Sequence, residues 1–139
     1  MLRTRLLALS LLAVSGMMTA ALPGTAVADW AFLIAADDVD WYVDETLTRK
    51  RGTMAKVWTL QDHKTAQPLY GGEYQSVKMQ AEIRCHSNQW RVFYFAYHSG
   101  RMGTGEAVYV QETAGPWKRV ERDTYAEALF NTGCHPEPP

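Results

Sequence analysis

The two cysteines, Cys85 and Cys134, constrain the fold of this chain more than any other feature. The chain has no other cysteine, and the two lie 49 positions apart. A disulfide that closes a loop of about 50 residues contributes roughly 4 kcal/mol of stability in the chain-entropy model. The alternatives are two free buried thiols or a redox-active pair. A redox pair favours the short C-x-x-C spacing, which is absent here, so we predict a structural disulfide.

The amino terminus has the pattern of a secretory signal peptide, predicted to span residues 1–28. Two arginines precede an apolar stretch at residues 6–14, and the Ala-Val-Ala sequence that ends at Ala28 fits a cleavage site, with Asp29 as the first mature residue. The apolar stretch is shorter than the about 20 residues that span a bilayer, and no nearby cysteine offers a lipid anchor. We therefore expect an exported protein, periplasmic or secreted, with no transmembrane segment in the mature chain.

Residues 29–139 are predicted to form a single domain, since a mature chain of about 110 residues suits one hydrophobic core. Five Trp, seven Tyr and four Phe supply apolar surface for that core. The full chain has 14 basic and 15 acidic residues and a formal net charge of −1. A weakly acidic chain is not typical of nucleic-acid-binding proteins, so no nucleic acid partner is expected.

Alternation and turn signals predict a meander of about six β-strands. The predicted strands are 30–35, 40–44, 53–60, 76–85, 90–99 and 106–112. Three consecutive cations and a glycine at 49–52 indicate a solvated turn, and Pro68, Gly71 and Gly72 indicate a long irregular loop at 62–74.

The segment 76–85 has the clearest β-pattern of the chain. Its apolar residues occupy every second position, as on one face of a half-buried strand, and they are Val77, Met79, Ala81, Ile83 and Cys85. This alternation predicts that Cys85 faces the core.

The chain ends in a predicted α-helix. Thr124 and Glu127 have the spacing of a capping box, and Gly133 suits the position just after a helix. The apolar stripe of this helix, continued by Cys134, consists of Ala126, Leu129 and Phe130. A disulfide from Cys134 to the 76–85 strand would tie the helix to one face of the sheet. The expected fold is therefore α+β, with a single antiparallel sheet and a C-terminal helix.

Catalytic and metal-binding motifs do not rise above background in this sequence. The histidines lack the spacing of a metal site, and they are His63, His86, His98 and His135. Asp37, Asp38 and Asp40 lack the further ligands of a calcium loop. Three cations at 49–51 are interpreted as a solvated turn, with contact to an acidic polysaccharide or a protein as the alternative. No metal, no cofactor and no enzymatic activity are expected.

Short motifs over nearly the whole mature chain resemble the surface-adhesin protein E family. They are Tyr42-Val43-Asp44, Val57-Trp58-Thr59-Leu60 followed by Asp62, Ser76-x-Lys78 leading to Cys85, Tyr97-x-Ser99, Met102-Gly103-x-Gly105-Glu106, Pro116-Trp117, and a helix that ends in Cys134. The matching residues are expected to be scaffold rather than binding residues; they are Trp58, Ser76, Lys78, Tyr97, Ser99, Gly103, Gly105, Glu106 and Trp117.

The resemblance implies a single antiparallel sheet whose C-terminal helix is held by a disulfide. It also implies a bacterial outer-surface protein, of Gram-negative type, that binds host matrix or serum proteins and can associate as a homodimer. We therefore expect an exported, non-enzymatic binding module whose partner is a protein or a surface polymer. The alternative is a periplasmic protein that binds haem or another small ligand through the segment Tyr94–His98.

Overall fold

Seven antiparallel strands and one helix make up the computed structural model of this protein, which describes residues 28–136. The elements are β1 Trp30–Ala35, β2 Val39–Arg51, β3 Met54–Leu69, β4 Gly72–Arg84, β5 Gln89–His98, a 3-10 turn Arg101–Gly103, β6 Ala107–Gln111, β7 Lys118–Arg119 and α1 Tyr125–Cys134. The strands lie in the order β1-β2-β3-β4-β5-β6, and β7 pairs with the other half of β5.

The predicted meander and α+β class are confirmed. The two-residue strand β7 was not predicted, and the signal peptide, apart from Ala28, lies outside the described residues.

The hairpin between β3 and β4 replaces the long irregular loop predicted at 62–74. The two strands continue pairing to Leu69 and Gly72, and only Tyr70 and Gly71 form the turn. Both turn residues have positive φ, 42° and 82°, which matches the right-handed twist of two paired strands. Of the three residues that predicted the loop, only Gly71 lies in the turn, while Pro68 and Gly72 belong to the paired strands.

The three cations predicted to form a solvated turn belong instead to the end of β2. Arg49, Lys50 and Arg51 pair with β3, and the turn proper consists of Gly52 and Thr53. The pairing of β2 is interrupted between Asp44 and Arg49, where the strand bulges.

One face of the sheet, which we call the helix face, forms the core with α1. The predicted alternation of β4 is confirmed, because Val77, Met79, Ala81 and Ile83 are all buried there. Neighbouring strands add Val43, Ala55 and Val57, and the helix adds Ala126 and Leu129. The opposite face, which we call the open face, has no helix against it within residues 28–136; the 3-10 turn Arg101–Gly103 packs on β3 and β4 there, and Trp117 lies against Arg84 and Arg91.

The disulfide between Cys85 and Cys134 is confirmed, with the two Cα atoms 5.6 Å apart. It joins the turn after β4 to the last residue of α1. The Lys50 ammonium donates a hydrogen bond of 2.9 Å to the Cys134 carbonyl, so this helix end is also held by β2. A cation at a helix C-terminus stabilises the carbonyls that have no partner within the helix.

The start of α1 was predicted correctly, whereas the role of Gly133 was not. Thr124 is the N-cap and accepts a hydrogen bond from the Glu127 amide, while the Glu127 carboxylate accepts one from the Asp123 amide. Gly133 is buried inside the helix rather than following it. A Cβ atom at this position would lie 2.9 Å from Val57, so glycine is needed there for close packing of the helix on the sheet.

Candidate functional site

The 3-10 turn is anchored to the open face by two buried polar side chains. Asp62 is fully buried, and its carboxylate accepts hydrogen bonds from Arg101 Nε at 2.9 Å and from the Met102 amide at 2.7 Å. The Ser76 hydroxyl donates to the Gly100 carbonyl at 2.6 Å and accepts from the Gly103 amide at 2.8 Å. Hydrogen bonding to the carboxylate raises the pKa of Arg101. This arrangement fixes the 3-10 turn on the sheet.

The remaining turn residues of the family motif lie beside this anchor. Gly103 has a φ of +70°, and a Cβ atom there would collide with the side chain of Lys78, which crosses it. Ser99 accepts a hydrogen bond from the Glu106 amide at 3.1 Å, and Gly105 also has positive φ, 75°. These contacts are those of a tight turn, and the scaffold role predicted for these residues stays a prediction.

The motif aromatics lie on different faces of the sheet. Trp58 contacts Tyr94 edge to face on the open face, with ring centroids 5.5 Å apart. The guanidinium groups of Arg84 and Arg91 lie against the Trp117 ring, at 3.8 and 4.4 Å from its centroid. Tyr97 lies on the helix face, beyond the part that α1 covers.

Five aromatic side chains on the helix face form a continuous cluster, which we call the tyrosine patch. It consists of Tyr70, Tyr74, Phe95, Tyr97 and Tyr109. Ring centroids are 4.5 Å apart for Tyr74 and Tyr97 and 5.9 Å apart for Tyr70 and Tyr109. Tyr70 is 90% exposed at the tip of the β3–β4 hairpin. A shallow groove of about 600 Å³ separates this tip from Val108 and Tyr109 of β6.

Sequence reasoning missed this patch because its members come from four segments that only the hairpin and the β5–β6 pairing bring together. The tip Tyr70-Gly71-Gly72 was assigned to an irregular loop, which hid the exposed tyrosine. The consecutive Val108, Tyr109 and Val110 in a short strand were an available signal of an uncovered edge.

Two ionisable groups in and beside the patch, Tyr97 and His63, have pKa values shifted in the direction that favours their neutral forms. Desolvation raises the pKa of the Tyr97 phenol, and the neighbouring phenols of Tyr74, Tyr70 and Tyr109 raise it further. Desolvation lowers the pKa of His63, whose ring meets Tyr74 edge to face, although Asp62 and Asp38 oppose that shift. An uncharged surface rich in phenol groups suits a protein contact better than the binding of a small ion.

The segment Tyr94–His98 does not form one ligand site. Tyr94 and His98 lie on the open face, whereas Phe95 and Tyr97 lie on the helix face, as alternation in β5 requires. His98 Nδ1 is buried and has no hydrogen-bond partner in the described part of the chain, and burial lowers the pKa of His98.

Metal-ligating side chains are not gathered elsewhere in the described residues. Within 28–136, no group of three or more His, Cys, Asp or Glu side chains lies close enough to hold a metal ion. Asp37 and Asp38 are exposed in the β1–β2 turn, while Asp40 is 4.0 Å from the Lys64 ammonium. No helix of the described residues is long and apolar enough to cross a membrane.

The chain forms a small domain with a single antiparallel sheet and a disulfide-tied helix on one face. The sequence model of the surface-adhesin protein E family matches residues 30–135, and the chain belongs to this family. Membership implies an adhesin-like protein that is exported or located at the cell surface.

Two solved structures of protein E from Haemophilus influenzae share this fold. Crystal form II has a TM-score of 0.62 at 12% sequence identity, covering 84% of this chain and 94% of that one. The protein from a non-typeable strain has a TM-score of 0.59 at 13% identity, covering 84% and 82% of the two chains. At such low identity the likeness shows the fold alone. No curated protein matches the chain by sequence.

Proposed function

We propose that this chain is an exported, non-enzymatic binding module, formed by residues 29–139, that recognises a protein partner through its tyrosine patch. The observation that carries the proposal is the exposure of Tyr70 beside the uncovered edge of β6. Family membership supports an adhesin-like role, and matrix or serum proteins of a host are the partners this role suggests.

The composition of the patch favours a protein over a small molecule. Tyrosine is enriched in protein interfaces because it buries a large rigid area at little entropic cost and can still donate a hydrogen bond. Val108, Tyr109 and Val110 are 45%, 37% and 45% exposed, which makes β6 apolar on both sides. The groove beside Tyr70 is shallow, so it suits a side chain of a partner better than an enclosed ligand.

The free edge of β6 could also bind a partner through main-chain hydrogen bonds. Among the described strands β6 pairs with β5 only, so its outer amide and carbonyl groups are free to hydrogen-bond an extended partner. A second copy of the chain is one such partner, and a homodimer through this edge is the proposed second use of the same surface.

The proposal is tested by binding of the mature domain to immobilised matrix and serum proteins. Tyr70→Ser and Tyr109→Ser should each weaken the interaction at least about fivefold, since truncation of an anchor aromatic costs more than 1 kcal/mol. Phe32→Ser is the matched control, because Phe32 is 61% exposed but lies on β1, at the other edge of the sheet. Equal binding by all three variants, with unchanged melting, would refute the patch as the recognition surface.

The alternative of a haem or small-ligand site on β5 is not favoured by the geometry, because Tyr97 and His98 face opposite sides of the sheet. Titration with haem, followed by its absorption spectrum in the wild type and in His98→Ala, tests this alternative directly. A spectral change that His98→Ala abolishes would revive it.

A further inference from the structure

Six cationic side chains gather on the open face, at the end of the sheet away from the 3-10 turn. We call them the cationic patch, and they are Arg49, Arg51, Lys56, Arg84, Arg91 and Arg119. Strand register places them in two adjacent cross-strand rows. One row runs Arg49, Lys56, Glu82, Arg91, and the other runs Arg51, Met54, Arg84, Gln89, Arg119. Residues two apart in a strand share a face, so both rows point to the same side.

Glu82 is the only carboxylate in these two rows, and it is already paired. It is buried and accepts a hydrogen bond from Arg91 Nε at 2.7 Å. Arg91 Nη2 and the Lys56 ammonium form ion pairs with it at 2.6 and 3.5 Å. Asp44 lies in the next row of the open face, but it is fully buried and its carboxylate accepts hydrogen bonds from Thr46 and the Leu47 amide. Glu45 lines a groove beside α1 together with Lys50. The full chain has a formal net charge of −1, so the rest of the molecule carries an excess of negative charge over this positively charged patch.

Aromatic rings hold part of the patch in position. The Arg84 and Arg91 guanidinium groups lie over the ring of Trp117, and the Lys56 ammonium lies 4.8 Å from the ring centroid of Phe93. Cation–π contacts restrict these long side chains without neutralising their charge. Their ordering cost on binding an anion is therefore smaller than for free surface arginines.

We propose that the cationic patch binds a sulfated polysaccharide, laid in extended form across β2, β3, β4, β5 and β7. Five of its six members are arginines, whose planar donors match the oxygens of a sulfate group. The patch extends across five strands, about 19 Å at about 4.8 Å per strand, so it fits a linear polyanion better than a single small ion. The disulfide indicates an oxidising compartment. Polysaccharide is a more accessible polyanion there than nucleic acid.

This surface is separate from the tyrosine patch, which lies on the helix face near the other end of β3 and β4. The inference therefore does not depend on the proposed protein partner. Tyr70→Ser should leave polysaccharide binding unchanged, so failure of one proposal can be told from failure of the other.

The test measures binding of a heparin oligosaccharide of fixed length to the mature domain. Arg51→Gln/Arg119→Gln removes two exposed charges, and should weaken binding by about tenfold at roughly 0.15 M salt. The control Lys64→Gln/Lys118→Gln removes the same charge outside the patch. Lys64 lies far along β3, and the Lys118 ammonium points to Trp90 on the helix face. Equal weakening by both double variants would overturn the patch as the binding site.

Two further measurements test the chemistry of the ligand. Arg84→Lys keeps the charge but loses the planar stack on Trp117, so it should weaken heparin binding while leaving the melting temperature nearly unchanged. Desulfated heparin and single-stranded DNA of similar length should both bind more weakly than heparin. DNA that binds as tightly as heparin, and is weakened by the same variants, would overturn the assignment to a sulfated polysaccharide.

Discussion

The buried carboxylate of Asp62 on β3 holds the guanidinium of Arg101 across 39 residues of sequence, and the same carboxylate accepts the amide of Met102. This pair fastens the 3-10 turn to the open face, over the end of the sheet where Ser76 makes two further hydrogen bonds. A loop held in this way is pre-organised, and it positions β6 for pairing with β5. The turn therefore belongs to the scaffold that presents the edge strand.

Removal of the Ser76 hydroxyl should destabilise the protein by about 1–3 kcal/mol, because Ser76→Ala leaves the Gly103 amide and the Gly100 carbonyl without their partner. Chemical denaturation followed by tryptophan fluorescence measures the loss. Ser87→Ala is the control, since the Ser87 hydroxyl is exposed and contacts only Gln89. A Ser76→Ala protein as stable as this control would argue against an anchoring role for Ser76.

The disulfide should contribute about 4 kcal/mol to the free energy of unfolding, since it closes a loop of 49 residues. The double variant Cys85→Ser/Cys134→Ser is expected to lose about that amount, and to loosen α1 first because the bond joins the helix end. Denaturant titration measures the free energy of unfolding of the oxidised wild type, the reduced wild type and the double variant. The reduced wild type and the double variant should agree, and a reduced protein as stable as the oxidised one would contradict the prediction.

Gly133→Ala should destabilise the fold by about 1–3 kcal/mol, even though alanine favours helix formation by about 1 kcal/mol over glycine. The added Cβ atom would lie 2.9 Å from Val57 Cγ2 and 3.1 Å from both Ala55 Cβ and Ile83 Cδ1. Asn131→Ala, at an exposed position of the same helix, should be neutral or slightly stabilising. Thermal melting compares the two, and a stabilising Gly133→Ala would show that the helix can move away from the sheet.

The sequence was sufficient for features that repeat locally. Alternation at 76–85 predicted a strand with one buried face, and the Thr124–Glu127 spacing predicted where the helix begins. The partner of Cys85 followed from there being one other cysteine. The strand and the helix start rest on patterns within a single segment, and the disulfide rests on the cysteine count.

Features that depend on packing between segments were not predictable in the same way. Gly133 is a residue type that often follows the end of a helix. Its close approach to Val57 explains why glycine is needed there, and only the tertiary structure shows this contact. The tyrosine patch and the cationic patch each combine four or more segments, so they depend on strand register. A shift of one residue in one strand would move its side chains to the other face.

Acidic pH should destabilise the protein through His63 and His98. Burial is the largest cause of the lowered pKa of each imidazole, relative to the ordinary value of 6.5. Lys78 lowers the pKa of His98 further, while Asp62 and Asp38 partly oppose the shift of His63. A histidine with a lowered pKa binds its proton more readily in the unfolded chain. Its contribution is therefore complete above about pH 6.5 and is lost as the pH falls below that value.

The measurement is the melting temperature between about pH 7.5 and about pH 5.5, a range in which histidine is the main titrating side chain. The wild type should melt at lower temperature as the pH falls. His63→Phe/His98→Gln should show a flatter profile, because neither replacement takes up a proton. His86→Gln, at an exposed position in the β4–β5 turn, should keep the wild-type slope. The explanation fails if the double variant retains that slope, since the pH dependence would then come from groups other than these two partly buried rings.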